Sequence, residues 1–158
     1  MVEQSQVAHI MVVDDEAVAR VSLAEILRLE GYQVATAASG EEALSLLGKS
    51  EPFDLIVLDL KMPGMDGLEV TEAVQERSPG TVIVLLTAFA TLETAIQAIR
   101  RGAHDYLLKP CSVPEILESV CRGLAKRQQE QQRRHLVSQL KRTLSELATV
   151  EGAEAAEE

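Results

Sequence analysis

The segments DLIVLDL and TVIVLLT contain the aliphatic runs LIVL and VIVLL, with no polar residue at alternate positions. A strand with one wet face alternates apolar and polar side chains. A strand covered on both faces does not, and that is the condition of a parallel sheet with helices on either side. Three further short runs fit the same scheme, so strands are predicted at 9–13, 32–36, 53–58, 81–86 and 105–108. Between them the apolar period becomes helical: Ala19, Leu23, Ile26 and Leu27 share one face, and Leu92, Ala95, Ile96 and Ile99 share another. The chain therefore reads as βαβα throughout, an α/β doubly wound sheet. Hydrophobic residues make up 46% and aromatics only 3%, so the core has to be aliphatic. At 158 residues there is room for one ordinary domain and an appendage.

Helix starts are marked by caps. Ser39 with Glu42 and Ser112 with Glu115 have capping-box spacing, and Thr91 can cap the fourth helix. The fifth helix opens with the stripe Val113, Ile116, Leu117, Val120 and Leu124, which should dock on the sheet. From Lys126 to His135 the residues KRQQEQQRRH favour helix but leave no apolar face, so the helix should continue into solvent. Leu136, Leu140, Leu144 and Leu147 resume an apolar stripe out of phase with the first. The predicted organisation is a domain over 8–124, a helical extension or coiled-coil linker over 125–150, and a disordered acidic tail, EGAEAAEE, over 151–158.

No apolar run reaches the roughly 18 to 20 residues of a membrane span, and MVEQSQVAHI lacks the order of a signal peptide, so a cytoplasmic protein without membrane insertion is expected. Cys111 and Cys121 lie ten positions apart, with no CxxC and no His at ligand spacing, and read as ordinary thiols. The net charge of −10 is unevenly spread: 1–121 carries −11, 122–142 carries +6 and 143–158 carries −5. The basic run has no interleaved aromatics, so it reads as a solvated helix face rather than a nucleic-acid contact.

Open α/β sheets bind ligands at the C-terminal ends of their strands. Here those ends carry Asp14, Asp15 and Glu16, then Asp59, then Thr87 and Ala88, then Lys109 and Pro110. Taken singly, the acids could be helix caps. Three carboxylates about 4 Å apart would repel by roughly 4 kcal/mol per pair at an effective dielectric near 20, and a divalent cation removes that objection. Magnesium suits an all-oxygen site of few carboxylates completed by water and phosphate.

In order and spacing, VVDDE, VLDLKMPGMDG, LLTA and DYLLKP resemble the receiver domains of bacterial two-component response regulators. The stretch FATLETAIQAIRRGAHDYLLKP is similar to nitrogen-regulator-like members. The resemblance implies a flavodoxin-like five-stranded sheet of order 2-1-3-4-5. It implies that Asp14, Asp15, Asp59 and the backbone carbonyl of Lys61 hold Mg²⁺, that Asp59 accepts a phosphoryl group, and that Lys109 supplies a second cation. By the same resemblance Thr87 and Tyr106 form the switch, Pro110 follows a cis bond, and Lys61 and Phe89 tune hydrolysis. The phosphodonor would be a sensor histidine kinase or a histidine phosphotransfer protein, chosen by surface around Ala17, Val18 and Arg20. The chain would act as a phosphoacceptor switch, with self-catalysed phosphotransfer and slow autodephosphorylation, rather than as an enzyme turning over an outside substrate.

A haloacid-dehalogenase-like phosphatase would need D-x-D after the first strand, where this chain has D-D-E. No G-x-x-x-x-G-K-[ST] or G-x-G-x-x-G loop occurs, which argues against a nucleotide enzyme. His9, His104 and His135 match no ligand or triad spacing. Beyond the receiver-like part there is too little chain for a helix-turn-helix or an ATPase module, which suggests a standalone relay or a fragment of a longer regulator. A homodimer through the fourth and fifth helices and the C-terminal helix is expected.

Overall fold

The computed structural model describes residues 6–49 and 51–157, with side chains to 153. Five parallel strands, β1 (His9–Val13), β2 (Gln33–Ala37), β3 (Leu55–Asp59), β4 (Val82–Thr87) and β5 (Asp105–Leu108), pair in the order β2-β1-β3-β4-β5. They alternate with α1 (Ala17–Leu29), α2 (Gly40–Lys49), α3 (Gly67–Arg77), α4 (Leu92–Arg100) and α5 (Val113–Glu157). The expected fold class, topology and long C-terminal helix are borne out.

Alternate residues of each central strand enter two separate cores. Met11, Val13, Ile56, Leu58, Ile83 and Leu85 pack with Ala43 of α2, Val70 and Val74 of α3 and Ala98 of α4. Ile10, Val12, Leu55, Val57, Val84 and Leu86 pack with Ala24 and Leu27 of α1 and Val120 of α5. Both faces are dry, which explains the missing polar alternation. On α5, Ile116, Leu117 and Leu124 join Val120 as expected, whereas Val113, the first residue of the predicted stripe, is 41% exposed; Gly123 lets the helix sit close, since a Cβ there would come 2.8 Å from Val82 Cγ1.

Three strands begin one or two residues later than the apolar runs suggest. Phe53 is buried ahead of β3, where its ring stacks on His9 at 4.1 Å, so its apolar character serves packing rather than pairing. The caps form largely as expected. Ser39 Oγ accepts from the Glu42 N–H at 3.1 Å, although Glu42 reaches back to the Ala38 N–H rather than to that of Ser39. Ser112 Oγ accepts from the Glu115 N–H at 3.3 Å, and Thr91 forms a full capping box with Thr94.

The stripe on α4 departs from its sequence reading. Leu92, Ile96 and Ile99 are 80%, 41% and 73% exposed, and Ala98 is the buried residue. Both cysteines are free. No helix among the described residues is long and apolar enough to cross a membrane.

Residues 6–125 and 126–157 form separate compact units. In the second, side chains from 128 to 153 are all exposed. The helix runs to Glu157, past Val150, where the sequence suggested that order ends. Ala and Glu are strong helix formers, and no proline interrupts them. Glu158 lies outside the described residues.

Candidate functional site

The site forms where β1, β3, β4 and β5 end side by side. Parallel register sets Val13 beside Leu58 and Asp59 beside Leu86. The pairing continues past β5, since the Lys109 N–H donates to the Thr87 carbonyl at 2.8 Å. Residues distant in sequence are thus delivered to one edge by the sheet itself.

Asp14, Asp15 and Asp59 converge, each offering a carboxylate oxygen within 4.8 Å of the others. Asp14 is buried, Asp59 half-buried and Asp15 exposed. Lys109 Nζ lies 3.1 Å from Asp14 Oδ2 and 3.8 Å from Asp59 Oδ2. Its shorter contact is with Asp14, the more buried of the two carboxylates and the one with least access to water as an alternative partner. Asp14 also accepts the Glu16 N–H at 2.9 Å through Oδ1, and its carbonyl accepts from Arg20 at 2.7 Å. Burial pushes Asp59 from 3.8 up to about 6; the Lys109 ammonium and a backbone hydrogen bond from Lys61 oppose that rise, and Asp14 and Asp15 add to it. Three clustered hard-oxygen donors with one carboxylate reluctant to ionise are a donor set that fits a divalent cation such as magnesium.

Two glycines shape the loop after Asp59. Gly64 takes φ +77°, a region glycine enters freely. Gly67 opens α3 so close to β3 that a Cβ would lie 2.7 Å from the Asp59 carbonyl oxygen and from Leu60 Cα. Asp66 caps α3, accepting the Glu69 N–H at 2.9 Å.

Thr87 is fully buried, and its Oγ1 accepts the Phe89 N–H at 3.0 Å. Tyr106 is half-buried and shares a 2.7 Å hydrogen bond with the hydroxyl of Thr94. Lys61 Nζ stands 5.6 Å from the centroid of Phe89. The Lys109–Pro110 bond is cis. Sequence reading did not single out Thr94, the partner of Tyr106; its one local signal was the position three residues after the Thr91 cap. It also left unnoticed the cluster of Asp105, Ser119 and Arg122, in which Asp105 Oδ2 accepts from Ser119 at 2.6 Å and from Arg122 at 3.3 Å.

Residues 10–121 match the family model for the response regulator receiver domain. The DNA-binding transcriptional regulator NtrC of Salmonella typhimurium is 35% identical over 127 residues, 80% of this chain and 27% of that protein. The chain spans about a quarter of the length of the curated relatives it matches. NtrC is a DNA-binding regulator, so the similarity gives no support to the expectation that nucleic acid is an unlikely partner. Among solved structures, a CheY-like receiver domain from Methanospirillum hungatei JF-1 superposes with TM-score 0.76 at 32% identity, covering 79% of this chain and 99% of that one. The response regulator TrrA of Thermotoga maritima, solved with Mg²⁺ and BeF, superposes with TM-score 0.67 at 37% identity, covering 74% of this chain and 99% of that one. The chain belongs to the response regulator receiver domain family, the phosphorelay modules of two-component signalling, and its relatives are nitrogen-regulator-like.

Proposed function

We propose that Asp59 is the phosphate acceptor of a Mg²⁺-dependent switch, and the observation that carries this reading is the convergence of Asp14, Asp15 and Asp59 beside the Lys109 ammonium. Asp14, Asp15, Asp59 and the Lys61 carbonyl would hold the cation, which supplies charge neutralisation to the incoming phosphoryl group. TrrA, similar in fold, was solved in complex with Mg²⁺ and BeF, which supports a Mg²⁺ site in this chain.

The remaining steps belong to the chain's own groups. The Asp59 carboxylate attacks phosphorus as the donor's histidine nitrogen leaves, and Lys109 places fixed positive charge where negative charge builds up. In this structure Thr87 Oγ1 is engaged by a backbone N–H, and Tyr106 is tied to Thr94. Acylphosphate formation gives the Thr87 hydroxyl a stronger, charged acceptor. Its movement opens space into which Tyr106 turns, and the surface around α4 changes with it. Lys61 and Phe89, paired over 5.6 Å, flank the mouth and set the access of hydrolytic water.

The donor is a histidine kinase or histidine phosphotransfer protein, met at Ala17, Val18 and Arg20 on α1. Signalling output proceeds by self-association through the apolar residues exposed on α4 and α5, including the C-terminal helix. Intact mass after incubation with acetyl phosphate and Mg²⁺ tests the acceptor: one added phosphoryl group is expected, absent from Asp59→Asn and from a chelated control. An adduct of equal yield on Asp59→Asn would overturn the assignment.

A further inference from the structure

The helix beyond the receiver carries an exposed apolar seam and a sharp division of charge along one axis. Val137, Leu140, Leu144 and Leu147 follow the alternating steps of three and four that keep residues on one side of a paired helix, and Leu136 and Val150 flank them. All six are 42–63% exposed. Residues 126–142 carry +5, from Lys126, Arg127, Arg133, Arg134, Lys141 and Arg142 against Glu130, and 143–158 carry −5.

We infer that this helix pairs with the same helix of a second copy in antiparallel orientation. The inference rests on the self-association proposed above for the C-terminal helix and adds its direction. A parallel pair would lay the basic stretch on the basic stretch and the acidic on the acidic. It would also set Arg133 against Arg133 of the partner subunit and Glu151 against Glu151 of the partner subunit at the two ends of the seam.

Reversing one helix changes each of these contacts. The seam then pairs Val137 with Leu147 of the partner subunit and Leu140 with Leu144 of the partner subunit. In the same register Arg133 meets Glu151 of the partner subunit, and Leu136 lies beside Val150 of the partner subunit. The net charges of the two halves become complementary over their whole length. One unfavourable pair, Lys141 with its own symmetry mate, falls at the rim, where long stems let the ammonium groups diverge into water. The overlap spans about 27 Å of helix at 1.5 Å per residue. Six apolar side chains from each helix would bury on the order of 1,000 Å², the lower bound of a specific interface. Charge therefore selects among orientations that the apolar seam alone would tolerate.

Spin labels at Gln132→Cys and, separately, Gln139→Cys in the full chain, with Cys111→Ser and Cys121→Ser, read the orientation by dipolar distance. The antiparallel register is centred on Arg142, so label pairs should be offset along the axis by about 30 Å at 132 and about 9 Å at 139. Equal distances at the two positions would mean a parallel pair and overturn the inference while leaving self-association intact. No dipolar coupling together with a monomer mass would remove both. An independent readout is charge reversal: Arg133→Glu and Glu151→Arg should each weaken association several-fold, and the double variant should restore it. Failure of the double variant to restore association would also overturn the antiparallel order, because only that order joins the two positions. Added salt should weaken the pair, whereas it would strengthen a parallel one.

Discussion

The hydroxyl of Tyr106 on β5 lies 2.7 Å from the hydroxyl of Thr94 on α4. Thr94 Oγ1 also accepts the Thr91 N–H at 3.1 Å and so completes the cap of α4. A single side chain thus joins the half-buried tyrosine to the start of the helix that presents Leu92, Ile96 and Ile99 to solvent. In the proposed switch, inward rotation of Tyr106 would take one partner from the residue that anchors this helix, and so would link the site to a surface through a named contact.

Thr94→Val removes that contact and one arm of the capping box. A side-chain hydrogen bond of this kind contributes about 1 kcal/mol, so the melting temperature should drop by a few degrees. The inward form of Tyr106 loses nothing by the change, so beryllium fluoride should bind about fivefold more tightly in the presence of Mg²⁺. Tyr106→Phe should give the same gain in affinity without loss of the cap. Calorimetric titration of both variants checks this, and unchanged affinity in both would dissociate Tyr106 from the switch.

Lys109→Gln separates two roles that the proposed mechanism gives to a single ammonium. With Nζ gone, Asp14 and Asp59 lose the cation at 3.1 Å and 3.8 Å. Mg²⁺ alone should then bind several-fold more tightly, because a competing positive charge has left an acidic site. Phosphorylation by acetyl phosphate should fall by at least a hundredfold, because charge on the transferring group is no longer met. Weaker Mg²⁺ binding in this variant would instead mean that Lys109 orders the carboxylates.

The sheet and the edge residues were legible in the sequence because both are written in short-range patterns. Unalternated LIVL and VIVLL demanded two dry faces, and the motifs after each strand marked Asp14, Asp15, Asp59, Thr87 and Lys109. What the sequence left open are pairings across elements. Periodicity established that Leu92, Ile96 and Ile99 share a face, but not that this face is uncovered, since amphipathic order says nothing of what packs against it. Thr94 was hidden because its second partner, Tyr106, comes from a different strand. That Lys109 lies nearer Asp14 than Asp59 is a matter of three-dimensional placement, which no spacing encodes. The acidic tail was read as unstructured on composition, yet alanine and glutamate extend a helix already nucleated upstream.

Two glycine substitutions should have opposite signs. At Gly67 a Cβ would stand 2.7 Å from the Asp59 carbonyl oxygen and from Leu60 Cα, backbone atoms that cannot step aside without moving Asp59. Gly67→Ala should destabilise the fold by about 2 kcal/mol and lower phosphorylation as well. At Gly48, inside α2, nothing lies within 4 Å of the built Cβ. Gly48→Ala should stabilise by about 0.5–1 kcal/mol, because alanine loses less backbone entropy in a helix. Denaturant melts of the two variants check the sign of each.

Asp59 gives the metal-free protein a pH dependence with a definite direction. Burial raises its pKa from 3.8 to about 6, so the folded form holds this proton more tightly than the unfolded chain does. Below pH 3.8 both forms are protonated, and the residue costs no stability. Between 3.8 and about 6 the unfolded chain ionises first, so stability falls as pH rises, and above about 6 the penalty is complete. Partial exposure to solvent reduces its size, to about 1–2 kcal/mol. Asp59→Asn removes the ionisable group, so in chelator it should melt several degrees above the unsubstituted protein at pH 7.5 and level with it near pH 3.5. Mg²⁺ should narrow the gap at pH 7.5, because it stabilises the ionised carboxylates of the unsubstituted protein and finds one fewer in the variant. A gap that stayed constant across the pH range would mean that the asparagine acts through packing, and that the charge of Asp59 is not held at a disadvantage in the folded site.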